Sequence, residues 1–282
     1  VTLLIDVDDM LFFDENNPNK YAALKKELVP HNLIYLPDVK YEKKKFGKGD
    51  GSYVLAFYDD NFYGESISVL SYGVGDDPLG VSFEQSLSEV GAKSLIINMY
   101  DGSIDELPAA VDSALFFKEH LTPDNFKDHV ADLLGDGYMS GISRPNVLIL
   151  KMDIEGNEYN WFTDENLEIL ANKFDQFTLE VHGLIEETPD DWIIEPAIQD
   201  AKNNLQKKVD FFKKLNQHFY LFHIHGNNHA PRYVDFPDSL ELTYVNKRIC
   251  DSIGVSQQRC PDLSVDEPNF DGRPEFVLDW WI

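Results

Sequence analysis

The stretch SISVLSYGVGDD, Ser66 to Asp77, decides the fold. An apolar run this short, closed by turn residues, reads as a buried strand rather than a helix. Its two glycines, Gly73 and Gly75, make a tight strand-to-loop turn in which the missing Cβ lets the backbone approach a ligand. Working outward, similar runs at Ser94–Tyr100, Asn146–Asp153, Gln176–His182, Tyr220–His225 and Leu240–Val245, with a weaker one at Ala114–Phe117, alternate with helical patterns. Such alternation predicts an α/β chain: a mostly parallel seven-stranded sheet with helices on both faces. Thr163 is placed to cap a helix carrying Leu167, Leu170 and Phe174 on one face. Pro196 stands near the start of a longer helix with Ile198, Ala201, Leu205, Val209, Phe212 and Leu215 in a stripe. Both suit crossovers between parallel neighbours. The link Gly226–Ser239 contains Pro231 and Pro237 and has no helical period, so the last strand is expected to return antiparallel.

The rest of the composition narrows the class. In 282 residues, 24 Lys+Arg face 50 Asp+Glu, a net charge of −26, while 43% hydrophobic and 13% aromatic residues suffice for a large core. This charge repels phosphate backbones and anionic lipid, which argues against nucleic-acid binding. No apolar run approaches the ~18 residues of a membrane span. Cys250 and Cys260 have neither metal-site spacing nor the density of a disulfide scaffold, so a reducing, cytoplasmic setting is expected. Residues 1–45, with an acidic cluster at Asp6, Asp8 and Asp9 and a helix around Tyr21–Leu28, read as a lead-in. Residues 46–282 read as one globular domain, excised from a longer chain and fused to other enzyme domains.

In an open α/β sheet, ligands bind at the carboxyl ends of the parallel strands. The glycine turn Gly73-Val74-Gly75 lacks the third glycine of a pyrophosphate fingerprint, because position 78 is Pro78. The next strand ends in Asp101, whose carboxylate can accept both hydroxyls of a ribose, so a ribose-bearing cofactor without a pyrophosphate fits. The alternative for Asp101 is a turn-forming Asp-Gly. The fourth strand ends in Asp153, Glu155 and Glu158, and for Glu158 an ordinary helix-start carboxylate is the simpler reading. Glu180 and His182 share a face at the end of the fifth strand, as do His223 and His225 at the end of the sixth. Asp153, Glu180, His182 and His225, gathered at successive strand ends, make a mixed O/N cluster suited to a divalent cation or to a general base held by a carboxylate. His223 is expected deeper and structural. Asn227 and Asn228 fit either a hydroxylated substrate or a turn.

At this point the residues resemble a family. LKMDIEGNEY, Leu150 to Tyr159, resembles the KxDIEGxE motif of the FkbM-like S-adenosylmethionine-dependent methyltransferases, within the class I, Rossmann-like group. Phe46–Val54 resembles the family's G…DGGYV segment, with Ser52 in place of the second glycine, and Ser71–Asp77 with Ser82-Phe83-Glu84 resembles its first motif. Leu179–Gly183, His223–Asn228 and Glu241–Tyr244 look like its later elements. The likeness spans about residues 46 to 245. It implies methyl transfer from S-adenosylmethionine to an oxygen of a sugar, glycan or small hydroxylated compound. It also implies Gly73, Gly75 and Glu84 along the cofactor, Asp101 on its ribose, and the Asp50-Gly51-Ser52-Tyr53 turn over its amino-acid end.

A hydroxyl becomes a good nucleophile only when its proton leaves, which calls for a neutral imidazole, a metal, or both. His182 or His225 would be the base, and Asp153 with Glu180, His182 and His225 would hold Mg²⁺ or Mn²⁺ or orient the imidazole. The rivals are a metal-dependent hydrolase or deacetylase built on the same cluster, a catalytically inactive cofactor-binding module and, more distantly, a nicotinamide oxidoreductase. Neutral carbohydrate is the expected acceptor, with Tyr233, Phe236, Trp280 and Trp281 as candidate stacking surfaces or core.

Overall fold

The computed structural model describes residues 11–12, 17–36, 39–57, 66–139, 147–188, 198–199 and 202–282. The Asp6–Asp9 cluster, Asn146, Pro196 and Ala201 lie outside them. Strands of the main sheet are numbered in chain order: β1 (Ser66–Tyr72), β2 (Ser94–Tyr100), β3 (Ala114–Phe117), β4 (Val147–Met152), β5 (Gln176–Val181), β6 (Phe219–Gly226) and β7 (Leu240–Asn246). Among the described residues these form one seven-stranded sheet in the order β3-β2-β1-β4-β5-β7-β6. The pairs β1·β2, β1·β4, β2·β3 and β4·β5 are parallel. As expected, β7 runs antiparallel, but it inserts between β5 and β6 and pairs with both.

The helices are α1 (Ala22–Glu27), α2 (Ser82–Ser88), α3 (Phe126–Met139), α4 (Glu158–Trp161), α5 (Asp164–Lys173) and α6 (Leu205–His218). Thr163 caps α5 by accepting from Asn166 N. The longer helix expected from Pro196 onward does not run through: Asn204 caps a fresh start at α6, accepting from Lys207 N at 2.9 Å. An asparagine side chain that can satisfy the first free N–H groups competes with helix continuation, so one apolar stripe spans a break.

Every residue of β1 and β4 is buried, as strands covered on both faces must be. Alternation sends Ile67, Val69, Val147 and Ile149 to one face, where Phe83 and Leu87 of α2 pack, and Leu70, Tyr72, Leu150 and Met152 to the other, against Phe126 of α3. The hairpin Glu42–Phe46/Tyr53–Phe57 lies over the first of these faces. It is tied to β5 by Gln176, whose side chain donates to Ala56 O and accepts from Ala56 N. Tyr21, Leu24 and Leu28 belong to the core of the second face, and His31–Leu36 pairs with Asp251–Val255. No helix among the described residues is long and apolar enough to cross a membrane. Strand order reverses between β1 and β4, which places the ligand-binding crevice at their carboxyl ends.

Candidate functional site

The glycine turn is wedged between the ends of β2 and β4. Gly73 N donates to Tyr100 O at 3.2 Å, and Asp153 N donates to Tyr72 O at 3.1 Å. Gly73 has φ +71°, and a Cβ there would stand 1.4 Å from Asp153 O. Only glycine fits, both for its left-handed backbone and for its lack of volume. Asp101 fastens the turn from the other side. One of its oxygens accepts from Val74 N (2.9 Å) and Gly75 N (3.0 Å), and the other from the N–H and hydroxyl of Ser103. Burial works against ionisation of Asp101, but these four donors outweigh it and hold its carboxyl below the usual range. The place of the missing third glycine is taken by Pro78, which starts a 3₁₀ turn capped by Asp77.

Two adjoining cavities open over this turn. One, of about 340 Å³, is lined by the glycine turn, Asp50, Gly51, Tyr53, Lys151 and Asp153. The other, of about 240 Å³, runs past Tyr100, Gly102, His120 and Leu121. They share Gly73, Asp101, Ser103, Asp153 and Glu155 as a common wall. Six of the seven residues expected along a cofactor therefore line this space: Asp50, Gly51, Tyr53, Gly73, Gly75 and Asp101. The seventh does not. Glu84 is fully buried beneath the turn, hydrogen-bonded by Ser71 Oγ, and burial pushes its carboxyl up. Lys151 was not singled out from the sequence, yet it is 2% exposed, its Nζ donates to Tyr72 O and Gly73 O, and it reaches the cavity wall. Ser52, the departure from the family pattern, is absorbed locally, its hydroxyl donating to Gly49 O at 2.7 Å. A larger cavity of about 510 Å³ lies between α4–α5 and α6, away from the strand ends, over Tyr159, Phe162 and Phe211.

His182 follows β5 directly and sits among carboxylates. Its Nδ1 is 3.4 Å from Glu158, and its Nε2 is 3.5 Å from Glu180, 3.6 Å from Glu155 and 3.9 Å from Asp153. Burial alone would push this imidazole down, but the hydrogen bond to Glu158 and the charges of Glu180 and Glu155 outweigh it and hold it well above the usual range. For Glu155, His182 pulls downward, yet burial, Asp153 and Glu158 raise it to about 7. Glu180 is pushed up by burial and by Asp153. Asp153 accepts from the Tyr53 hydroxyl on Oδ2 (3.2 Å), while its Oδ1 has no hydrogen-bond partner.

The structure does not bring His225 to this group. Because β7 intervenes, Glu180, Glu241 and His225 form one row across three strands, with Glu241 opposite both of the others. Both ring nitrogens of His225 are engaged, Nδ1 by Glu241 at 3.0 Å and Nε2 by Glu275 at 3.3 Å, so it offers no free base. The four-residue metal set Asp153, Glu180, His182, His225 is thereby redistributed. Ligand atoms of Asp153, Glu155 and His182 lie within 4.8 Å of one another, and those of Asp50, Glu180 and Glu241 form a second such group. Asn227 bridges Asp50 and Glu180, and Asn269, from the C-terminal segment, bridges Asp50 and Glu241. Asn228 binds the carbonyls of Phe270 and Arg273, so both asparagines serve the frame. His223 is buried against Asp266 at 2.9 Å. Tyr233 and Phe236 are buried beside Tyr21, and Trp280 donates to Leu28 O, which makes three of the four candidate stacking rings packing groups. Cys250 and Cys260 are free and buried.

These shifts fix a sign for the pH dependence of stability. His182, His225, Glu180 and Glu241 all bind protons more tightly folded than their ordinary values of 6.5 and 4.5 imply. Their contribution is complete below those values and is lost as pH rises through the raised ones. Asp101 and Asp266 are lowered from 3.8, so theirs is complete above that value and lost on acidification. For these groups the melting temperature should be highest between about pH 3.8 and 4.5 and fall as pH rises above it. A profile by scanning calorimetry that rises from pH 6.5 to 9 would contradict the arrangement.

The chain matches no family model and no curated protein sequence. It is similar to solved structures of methyltransferases. A candidate DNA modification methyltransferase encoded within an E. coli prophage shares 12% identity at a TM-score of 0.35, over 65% of this chain and 47% of that one. A TehB-like SAM-dependent methyltransferase from Corynebacterium glutamicum shares 12% at 0.30, over 67% and 84%. The 16S rRNA (adenine(1408)-N(1))-methyltransferase of Catenulisporales acidiphilia shares 9% at 0.34, over 75% and 100%. The chain thus spans about half the length of the first of these.

Proposed function

We propose that this chain is an S-adenosylmethionine-dependent O-methyltransferase acting on a hydroxyl of a neutral carbohydrate or small hydroxylated acceptor. The observation that carries the reading is the Gly73–Gly75 cradle, fastened by Asp101 and opening onto two adjoining cavities at the strand-order reversal. A Cβ at Gly73 would collide with Asp153 O, so its absence lets the ends of β1 and β4 close up, while Gly75 has no atom within 4 Å of where a Cβ would stand and leaves bare backbone open to a ligand. The cofactor's adenosine would lie toward Tyr100, Asp101 and His120, and its amino-acid end toward Asp50, Tyr53 and Lys151. When bound, it supplies an electrophilic methyl group on a sulfonium and leaves as S-adenosylhomocysteine.

The chain's own residues then have two tasks. The walls must hold the acceptor in line with the methyl group, and His182 Nε2, which its carboxylate neighbours keep protonated until the pH is well above the ordinary imidazole value, must take the hydroxyl's proton as the new C–O bond forms, so transfer should rise toward alkaline pH. Carboxylates at Asp50, Asp153 and Glu155 repel anionic acceptors, which favours a neutral one and disfavours nucleic acid. The set Asp153, Glu155 and His182 also fits a divalent cation, because its donors converge and Asp153 Oδ1 has no hydrogen-bond partner. Mg²⁺ or Mn²⁺ held there would lower the pKa of an acceptor hydroxyl.

Calorimetry with S-adenosylmethionine and S-adenosylhomocysteine, with and without EDTA, is the direct test. Micromolar binding, followed by methylation of a sugar in an acceptor screen, is the expected result. His182→Gln should leave cofactor affinity within about threefold and slow transfer by roughly 10²–10⁴-fold. Absence of binding by folded protein would remove the reading and turn attention to a metal-dependent hydrolase on Asp153, Glu155 and His182. Binding without transfer to any acceptor, unchanged by His182→Gln, would mark a cofactor-binding module.

A further inference from the structure

Glu158 looks from the sequence like a carboxylate serving the start of its own helix, but α4 is a single turn and Glu158 turns away from it. Its Oε1 accepts from Ile154 N at 3.3 Å and Gly156 N at 3.2 Å, and lies 3.4 Å from His182 Nδ1. Those two N–H groups flank Glu155, which has a left-handed backbone at φ +53°, and Gly156 follows at +90°. One carboxylate therefore clips the loop after β4 to the residue that follows β5. The next residue of α4 completes the grip, since the Tyr159 hydroxyl donates to His182 O at 2.9 Å. Glu158 is 0% exposed, and among the described residues the one ion pair recorded for it is with His182. An ionised carboxylate can only accept, so the Nδ1 that faces Oε1 beside the Ile154 and Gly156 N–H groups must carry the hydrogen between them.

We propose that Glu158 is the positioning residue of His182: it keeps the hydrogen on Nδ1 and turns Nε2 toward Asp153, Glu155 and Glu180 as the working nitrogen. The same orientation serves whether Nε2 takes the acceptor's proton or joins Asp153 and Glu155 around a cation. This parallels the way an outer carboxylate fixes the tautomer of a ligating or catalytic histidine. The chemical use of Nε2 rests on the methyl-transfer reading, whereas the orientation stands on the geometry alone. Two groups acting in series also explain why a bulky, fully buried acid is placed at the start of so short a helix. The groups facing the ring are Asp153, Glu155 and Glu158 from the β4–α4 loop and Glu180 from β5, with Asp238 further off.

The test is a long-range ¹H–¹⁵N spectrum of the full chain in EDTA, with His182 assigned through His182→Gln, recorded across the pH range in which the protein is folded. The expected neutral form has Nδ1 protonated and Nε2 bare. Glu158→Gln, which retains a carbonyl acceptor, should keep this tautomer, and Glu158→Leu should convert it to a mixture. With an acceptor in hand, Glu158→Leu should lower kcat about 10–100-fold with the cofactor KM unchanged, and Glu158→Gln should restore most of it. A neutral ring protonated at Nε2, a ring that never presents a bare nitrogen while the chain is folded, or a Glu158→Leu spectrum identical to wild type overturns the proposal. Should Glu158→Leu fail to fold, the wild-type and Glu158→Gln spectra decide it. S-adenosylhomocysteine calorimetry on the same samples separates the two readings. No binding beside the expected spectrum removes methyl transfer and leaves the positioning role, and binding beside an Nε2-protonated ring does the reverse.

Discussion

Gly73→Ala is expected to abolish S-adenosylhomocysteine binding and to destabilise the fold by about 4–5 kcal/mol, the upper range for a single substitution. Two costs coincide. An L residue at φ +71° costs about 1–2 kcal/mol for its backbone alone. The added Cβ would also stand 1.4 Å from Asp153 O, a contact relieved only by parting the ends of β1 and β4. Those ends are held by the bond from Asp153 N to Tyr72 O, so relief at one point disturbs the whole turn. Gly75→Ala is the control, because it has the same φ of +71° but no atom within 4 Å of the new Cβ. It should cost only the backbone term, about 1–2 kcal/mol. Denaturant unfolding of the two variants, with calorimetry on each, measures the difference. Equal stabilities would mean that the close approach of Gly73 to Asp153 is not what shapes the site.

Asp101→Ala should weaken S-adenosylhomocysteine binding about 100-fold, or roughly 2.7 kcal/mol. The carboxylate accepts from Val74 N, Gly75 N and both donors of Ser103, and its loss leaves the N–H groups of the glycine turn without their partner. Val74 N, the buried one of these donors, costs about 1–3 kcal/mol when left bare, so the turn should reorganise rather than stay open for the cofactor. Asp101→Asn retains one acceptor oxygen and should fall between wild type and Asp101→Ala. In the wild type, binding should persist on acidification to about the ordinary carboxylate value of 3.8, because the folded carboxyl is held below it. If Asp101→Ala binds as tightly as wild type, Asp101 is only a turn residue and the cavity above it is not the cofactor site.

Much of this architecture was legible in local sequence. β1, β2 and β3 have the bounds expected of them, because each is a short apolar-rich run closed by a turn; β1 is buried throughout, whereas β3 at the sheet edge leaves Leu115 half-exposed. The antiparallel return of β7 followed from a proline-bearing link that cannot form a crossover helix. Less visible were the hairpin Glu42–Phe46/Tyr53–Phe57 and α3. Lys43 to Lys45 hide the first of these, for in the fold Lys43 pairs with Asp262 and Lys45 with Glu267. In α3 the stripe Phe126, Val130 and Leu133 is sparse among charged residues. The restart of α6 at Leu205 was masked because the apolar period runs on through Asn203 and Asn204.

The sequence by itself determined the cradle: two glycines at the end of β1, Asp101 at the end of β2 and Asp153 at the end of β4 are each set by a strand and the turn that closes it. Which imidazole stands with which carboxylate was decided only by the tertiary structure. His182 meets Glu158 through a loop whose left-handed residues, Glu155 and Gly156, carry no periodic signal. His225 was expected beside His182, yet β7 inserts between their strands and sets Glu241 against His225, while Glu275 arrives from the C-terminal segment. Strand ends are fixed by local burial and turn chemistry, whereas lateral order in a sheet is fixed by pairings between distant segments, which spacing along the chain does not record.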